Sequence, residues 1–166
     1  MNVCGADRRV TSLEQTDIRG LDPVLIGGPV ELAVADLSFI SLRLVLPSLG
    51  RLVEPGHPIV TLVKPQFEAG RAEASRFGGV IRDPAIWRLV LAEVVASADD
   101  LGMGLRAATV SGITGAKGNV EFVVWLAAGG PSLDEVDPPA GRGRPSRLRT
   151  DALLDQVVAE AEARGR

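Results

Sequence analysis

The sequence predicts an α/β fold, in which helices pack on a sheet that contains parallel strands. Residues 32–36 and 59–64 are almost continuous apolar runs that each end in a charged side chain, which is typical of parallel strands buried on both faces. Helical spacing of apolar residues separates the two runs and returns at 84–101. With 166 residues, 46% of them apolar, the chain can form one packed core.

The composition excludes several classes of function. Cys4 is the only cysteine and His57 the only histidine, so disulfides and cysteine-rich zinc sites are excluded, and a triad with histidine requires His57 itself. We predict no metal site. No apolar stretch is long enough for a membrane span or a signal peptide, so we expect a cytoplasmic protein. The net charge of −3 argues against a broadly basic surface that binds nucleic acid, but it does not exclude a local basic patch.

The first half of the chain predicts a right-handed crossover between two parallel strands. Residues 10–14 predict a short strand, and the strand at 32–36 leads into a helix over 38–53 with a kink at Pro47. The second strand, 59–64, stops at Pro65. Because a crossover places both strand ends at one edge of the sheet, we expect Asp36 and Lys64 to lie close together, where ligands of α/β proteins bind.

The second half predicts a long connection, a helix and a hairpin. Residues 66–82 form the connection, after which Asp83 caps a helix that Gly102 ends. Strands around 105–111 and 120–126 predict an antiparallel hairpin. If the last strand runs antiparallel to the others, Glu121 at its start reaches the same edge as Asp36 and Lys64.

The C-terminal part changes in composition. Residues 129–149 are rich in proline, glycine and arginine and predict a flexible linker. Residues 150–166 predict an amphipathic helix capped by Thr150. The predicted organisation is therefore a domain over 1–128, a linker and a helix.

The candidate site combines one amine with two carboxylates. Only Lys64 and Lys117 among the 18 basic residues are lysines, and a lysine can accept a proton where an arginine cannot. Lys64 between Asp36 and Glu121 suits removal of a proton from an alcohol. The alternatives are a solvent-exposed Lys64, a turn-capping Asp36 and an ordinary strand residue at Glu121.

Four segments resemble one family: ADLSFISLRLVLPSL, LVKPQFEAGR, GGVIRDP and SGITGAKGNVEF. They are similar to the TlyA, or hemolysin A, family of ribosomal RNA 2′-O-methyltransferases. The resemblance implies a Rossmann-like, FtsJ-like domain that uses S-adenosylmethionine and a Lys-Asp-Lys-Glu tetrad. Asp36, Lys64 and Glu121 match its last three members, with Lys64 as the base. LEQTDIR resembles the family's E-R-T-N-x-R and implies cofactor contacts for Glu14 and Asp17, beside Asp36, with Gln15 and Asp17 as departures.

The resemblance also implies an incomplete, N-terminally truncated domain. The family's S4-type RNA-binding domain, first tetrad lysine, first strands and glycine-rich cofactor motif do not appear in this sequence. Lys117 is a poor substitute for the missing lysine, because it lies in the loop before Glu121. The strand at 32–36 then has an open edge: either residues 10–14 cover it, or a second chain does, or the fragment is poorly stable.

Two functions follow from the resemblance. One is methylation of ribosomal RNA or of a ribosomal subunit; the alternative is a non-catalytic remnant that binds RNA or protein. Phe39 and Phe67 are expected to be packing residues, with stacking on RNA bases as the other reading.

Overall fold

The structure, a computed structural model, describes residues 7–70, 78–130 and 148–164. Its sheet has the strand order β1-β2-β4-β3, in which β1 is parallel to β2 and the other neighbours are antiparallel. This arrangement confirms the predicted α/β class and the predicted hairpin. The helices and strands are β1 (Ala33–Ala35), α1 (Leu46–Leu52), β2 (Pro58–Val63), α2 (Pro65–Glu68), α3 (Pro84–Asp99), β3 (Met103–Val110), β4 (Phe122–Ala128) and α4 (Leu148–Arg164).

The two faces of the sheet differ in burial. One face belongs to a core to which all four strands, α1, α3 and α4 contribute, with Ile59, Val63, Phe122, Val124 and Leu126 fully buried. On the other face, the strand register aligns Val34, Val60 and Trp125 in one row. Val34 is 74% exposed and Trp125 is 46% exposed. In the described part of the chain, this face therefore carries exposed apolar side chains.

The prediction of a strand at residues 10–14 is wrong. These residues are exposed and form no strand, and a turn with Gln15 at φ 55° follows them. β1 remains an edge strand among the described strands, paired with β2. An exposed segment that does not join a sheet has no ladder of hydrogen bonds to hold it extended, so its β-branched residues do not decide its conformation.

Proline and aspartate set the helix boundaries. The predicted helix over 38–53 is two pieces, a 3₁₀ turn at Leu42–Leu44 and α1, because Pro47 occupies the first turn of α1 instead of kinking a longer helix. The Asp83 carboxylate accepts a hydrogen bond from the Ala85 N–H at 2.9 Å, which confirms the predicted cap of α3.

The last helix packs on the rest of the fold. It starts at Leu148, so Thr150 lies inside it and is not its cap. Leu154, Val157 and Ala161 are buried in the same core as the strands, so a division at residue 128 does not separate two cores. The predicted linker lies mostly at 131–147, outside the described residues. Within residues 7–70, 78–130 and 148–164, none of the helices combines the length and apolar character needed to cross a membrane.

Candidate active site

Asp36 and Lys64 meet where β1 and β2 end. Each residue directly follows its strand, and the parallel pairing brings both strand ends to one edge of the sheet. The Lys64 ammonium forms an ion pair with the Asp36 carboxylate and donates to the Ser38 hydroxyl at 3.5 Å. The Lys64 side chain is only 11% exposed, whereas that of Asp36 is 65% exposed. The expected proximity is confirmed, with a shielded amine facing a carboxylate that opens to solvent.

Glu121 lies at the same edge on the neighbouring strand. Val63 pairs with Phe122, so Lys64 and Glu121 each lie one residue beyond that pair. Glu121 is 7% exposed, and its Oε1 accepts a hydrogen bond from Gln66 Nε2 at 3.3 Å. The structure therefore brings the three predicted residues to one edge, with Glu121 bonded to Gln66 and Lys64 to Asp36.

The backbone at Gly115 makes room for the Glu121 carboxylate. A Cβ atom added at residue 115 would lie 2.0 Å from Glu121 Oε1 and 2.5 Å from its carboxyl carbon. Real Cβ atoms do not approach other atoms this closely, so any larger residue at 115 displaces the carboxylate. The Glu121 carboxylate can occupy its observed position only because residue 115 is a glycine.

Gln66 carries an unused hydrogen-bond acceptor beside Glu121. Its side chain is 9% exposed, and its Oε1 has no hydrogen-bond partner within the described parts of the chain. A buried amide oxygen without a partner is unfavourable, so a donor from a bound molecule would stabilise the site. Sequence reasoning missed Gln66, although it stands two residues after Lys64.

Glu68 holds the loop that carries Asp36. It is 4% exposed and accepts hydrogen bonds from the Ser41 hydroxyl at 2.6 Å and the Leu42 N–H at 2.5 Å. Arg43 lies 3.5 Å from the same carboxylate. Sequence reasoning missed this role, since the partners lie 26 and 27 residues away and no periodic pattern connects them.

Asn119 joins two loops next to Glu121. Its side chain is buried, and its Oδ1 accepts from the Ile81 N–H at 3.1 Å. Its Nδ2 donates to the Gly79 carbonyl at 2.9 Å and the Ala116 carbonyl at 3.0 Å. This residue, which sequence reasoning also missed, fixes the loop before β4 against the segment before α3.

Glu14 and Asp17 occupy a separate exposed segment. Asp17 caps the 3₁₀ turn Ile18–Gly20, and its carboxylate pairs with Arg19 at 2.6 Å. The hydrogen bond from Arg19 lowers the pKa of Asp17 from 3.8 to about 2. The Ser48 hydroxyl of α1 donates to the Arg19 carbonyl at 3.3 Å, so this segment packs on α1. Glu14 lies in an exposed turn, and cofactor contacts of both acids stay predictions.

Two further residues that the sequence singled out, Lys117 and Phe39, lie outside the cluster of Asp36, Lys64 and Glu121. Lys117 lies at φ 58° in the exposed turn Ala116–Gly118, with its ammonium near Gly79. Phe39 is 92% exposed at φ 63°, and its ring centroid lies 5.2 Å from that of Phe67. The expectation that Phe39 is a packing residue is wrong, because the loop after β1 turns its ring toward solvent.

The described residues do not enclose a site for S-adenosylmethionine. The Asp36 carboxylate is largely exposed, and Val34 of the same strand is 74% exposed. Two cavities in the described part of the chain, of about 570 and 450 Å³, are lined without Asp36 or Lys64. A pocket for a molecule of this size buries most of its surface. The two cavities therefore lie away from the ion pair of Lys64 with Asp36.

Comparisons with known proteins give a consistent family. The chain matches the family described as FtsJ-like methyltransferase over residues 3–128. TlyA from Mycobacterium tuberculosis, named a 16S/23S rRNA (cytidine-2′-O)-methyltransferase, is 46% identical over 120 residues, which cover 72% of this chain and 44% of that protein. Hemolysin A from Brachyspira hyodysenteriae is 34% identical over 118 residues, covering 70% of this chain and 49% of that protein.

Solved structures agree with the sequence matches. A protein from Streptococcus thermophilus, provisionally named a hemolysin, superposes with a TM-score of 0.78 at 34% identity and covers 98% of this chain and 54% of its own. A similarly named protein from Lactococcus lactis gives a TM-score of 0.76 at 32% identity, covering 95% of this chain and 68% of its own. These matches confirm the FtsJ-like fold. The chain spans less than half the length of the curated relatives that it matches.

Proposed function

The chain belongs to the FtsJ-like methyltransferases, and from that premise we propose that it methylates a ribose 2′-hydroxyl of ribosomal RNA with S-adenosylmethionine as methyl donor. The observation that carries the proposal is the ion pair between Lys64 and Asp36 at the carboxyl edge of the sheet. TlyA, which carries that activity in its name, is 46% identical to this chain. Action on ribosomal RNA or a ribosomal subunit, in the cytoplasm, belongs to the same proposal.

Lys64 is the proton acceptor in this proposal. S-adenosylmethionine, when bound, supplies a methyl group attached to a positively charged sulfur. The Lys64 amine, in its neutral form, takes the proton of the 2′-hydroxyl, and the hydroxyl oxygen keeps the electron pair that forms the new bond to the methyl carbon. The carbon–sulfur bond of the methyl donor would break in the same step, with its electron pair left on the now neutral sulfur. Asp36 then pairs with the resulting ammonium, and its contact fixes the direction of Nζ. Arginine cannot serve in this role, because it does not lose its proton in proteins.

Glu121, Gln66 and Phe39 supply the remaining contacts. The Glu121 carboxylate and the unpaired Gln66 Oε1 lie at the sheet edge as hydrogen-bond acceptors for the ribose. The exposed ring of Phe39 offers a flat apolar surface to the base of the same nucleotide. Holding the hydroxyl in one geometry contributes more to this reaction than any single proton transfer.

Calorimetric titration with S-adenosylmethionine tests whether this chain supports the proposal. We expect saturable one-to-one binding that is weak, because the described residues do not enclose the cofactor. A Lys64→Ala variant keeps the same affinity, since Lys64 acts on the acceptor hydroxyl. The absence of heat at millimolar ligand would contradict an enzymatic function of this chain.

A second candidate function is that of an interaction module. The sheet face that carries exposed apolar side chains favours this function. Val34, Val60 and Trp125 form one row on that face, next to the open edge of β1. Exposed apolar patches of this kind mark protein interaction sites, and open strand edges pair with other chains. Sedimentation equilibrium tests self-association: a dimer that Val34→Glu dissociates supports it, whereas a monomer at all concentrations contradicts it.

A further inference from the structure

A cavity of about 570 Å³ lies beside the candidate active site, and Glu121 is the one residue of the proposed reaction among the described residues that line it. The loop between β3 and β4, the start of α3 and the end of α4 form its walls. Glu121 contributes to the lining, one residue beyond the pair of Val63 with Phe122. Because neighbouring strands lie about 5 Å apart, the backbone of Glu121, one of the lining residues, lies roughly one strand spacing from that of Lys64.

The walls of the cavity are held in place by buried hydrogen bonds. Asn119 ties the loop before β4 to the Ile81 backbone. The Trp87 indole, 4% exposed, lines the cavity and donates to the Ile81 carbonyl at 3.0 Å. A cavity that exists before binding avoids the entropy cost of ordering its walls when a ligand enters.

The lining combines apolar walls with polar groups of both charges. The apolar side chains are Pro84, Trp87, Val110, Ile113, Val120 and Ala161. Ile113 is 80% exposed although it lies on this lining, so its side chain has no apolar cover. Ser111, Thr114 and Glu162 add hydrogen-bonding groups. Such a lining suits a flat ring system whose edge forms hydrogen bonds, and the volume is in the range of small-molecule sites.

Of the two arginines that line the cavity, Arg82 offers its charge to a phosphate, whereas Arg164 is already paired with Glu160. Arg82 lines the cavity and makes no ion pair within the part of the chain that the structure describes. Arg164 also lines it, and donates to the Ser111 carbonyl at 3.2 Å and to Glu160 at 2.5 Å. Guanidinium groups bind phosphate oxygens with two parallel hydrogen bonds. A carboxylate such as that of Glu162 accepts from the amino group of a base.

We propose that this cavity binds the base and phosphate of a nucleotide adjacent to the methylated one, in a single-stranded segment of RNA. The proposal rests on the proposed function, because the reacting ribose places the RNA strand at Lys64 and the cavity is the next feature along that edge. A single strand is required, since only unstacked bases can enter a protein cavity. The cavity would thereby select the sequence around the methylated nucleotide.

Fluorescence of Trp87 tests the proposal in the whole chain. Of the two tryptophans, Trp125 lies on the opposite side of the sheet, so Trp125→Phe leaves Trp87 as the only reporter. Titration with a single-stranded RNA hexamer of mixed sequence should change this fluorescence to saturation. Ile113→Asp and Arg82→Glu should each weaken binding at least about fivefold. Both positions are exposed, and thermal unfolding verifies that the variants fold.

Arg51→Glu is the matched control, because Arg51 is an exposed arginine near the end of α1. It makes the same change in net charge as Arg82→Glu and should leave the affinity unchanged. Three results would overturn the proposal: no binding of the hexamer, binding without a change in Trp87 fluorescence, or equal affinities for Arg82→Glu and Arg51→Glu. A response of Trp87 in protein that transfers no methyl group would contradict the proposed function and leave the nucleotide site standing.

Discussion

The buried carboxylate of Glu68 accepts a hydrogen bond from the Ser41 hydroxyl at 2.6 Å, so α2 holds the loop that follows β1. Lys64 immediately precedes α2, and Asp36 starts the loop that Ser41 ends. The ion pair between Lys64 and Asp36 is therefore supported by a second polar contact between the same two segments. The geometry of the candidate site depends on both contacts.

Glu68→Gln should lower the free energy of unfolding by about 1–3 kcal/mol. The amide has one acceptor oxygen, so the Ser41 hydroxyl and the Leu42 N–H cannot both keep their bonds. Urea unfolding measures the change. Glu93→Gln is the control, because the Glu93 side chain is 43% exposed and pairs with Arg43 at the surface; its cost should stay below about 1 kcal/mol. Equal losses in both variants would contradict a special role of Glu68.

Gly115→Ala should displace the Glu121 carboxylate, whereas Gly112→Ala in the same loop should have little effect. The added Cβ meets Glu121 Oε1 at residue 115 and meets nothing within 4 Å at residue 112. A misplaced catalytic group lowers the rate about a hundredfold. The rate of methyl transfer by the Gly115→Ala variant should therefore fall by about this factor. Carboxyl chemical shifts of Glu121, measured by NMR, report the displacement without an activity assay. An unchanged shift would refute this account of Gly115.

Asn119→Ala should lower the free energy of unfolding by at least about 2 kcal/mol. The substitution leaves the Ile81 N–H and two carbonyls without their partner. Hydrogen exchange of the Ile81 amide should accelerate by more than the loss of global stability explains. Thr114→Ala, an exposed change in the same loop, should alter neither quantity. Normal protection of Ile81 in Asn119→Ala would show that the two loops do not depend on this residue.

The Asp17 carboxyl should titrate near pH 2 in the folded protein, below its ordinary value of 3.8, because Arg19 donates to its ionised form. A lowered pKa in the folded state means that the pair stabilises the fold above about pH 3.8 and that this contribution is lost as the pH falls toward 2. NMR titration measures the midpoint. Arg19→Gln should return it toward 3.8, and a midpoint unaffected by this change would contradict the assignment.

The sequence predicted those parts of the site that follow from strand direction. Parallel strands end at one edge, so the ion pair between Asp36 and Lys64 follows from two apolar runs with a helix between them. The antiparallel hairpin likewise predicts that Glu121, just before the last strand, lies at the same edge of the sheet. These inferences need only the direction of each strand and the position of its last residue.

Contacts between distant loops could not be predicted in this way. Glu68, Gln66 and Asn119 bind partners 26 to 55 residues away, through side chains whose direction depends on packing. The exposed ring of Phe39 depends on a positive φ that its residue type disfavours. Residues 10–14 have the composition of a strand and form no strand in the described structure. In each case tertiary contacts, or their absence, decide the conformation.

Transfer of labelled methyl groups from S-adenosylmethionine to ribosomal subunits with unmethylated RNA tests whether this chain is a ribose 2′-O-methyltransferase with Lys64 as its base. The wild-type chain should produce 2′-O-methylnucleosides, identified after digestion of the RNA. Lys64→Arg keeps a cation beside Asp36 but cannot accept a proton, so its rate should fall at least about a hundredfold. A wild-type chain that transfers no label, or a Lys64→Arg variant as active as the wild type, would contradict the account.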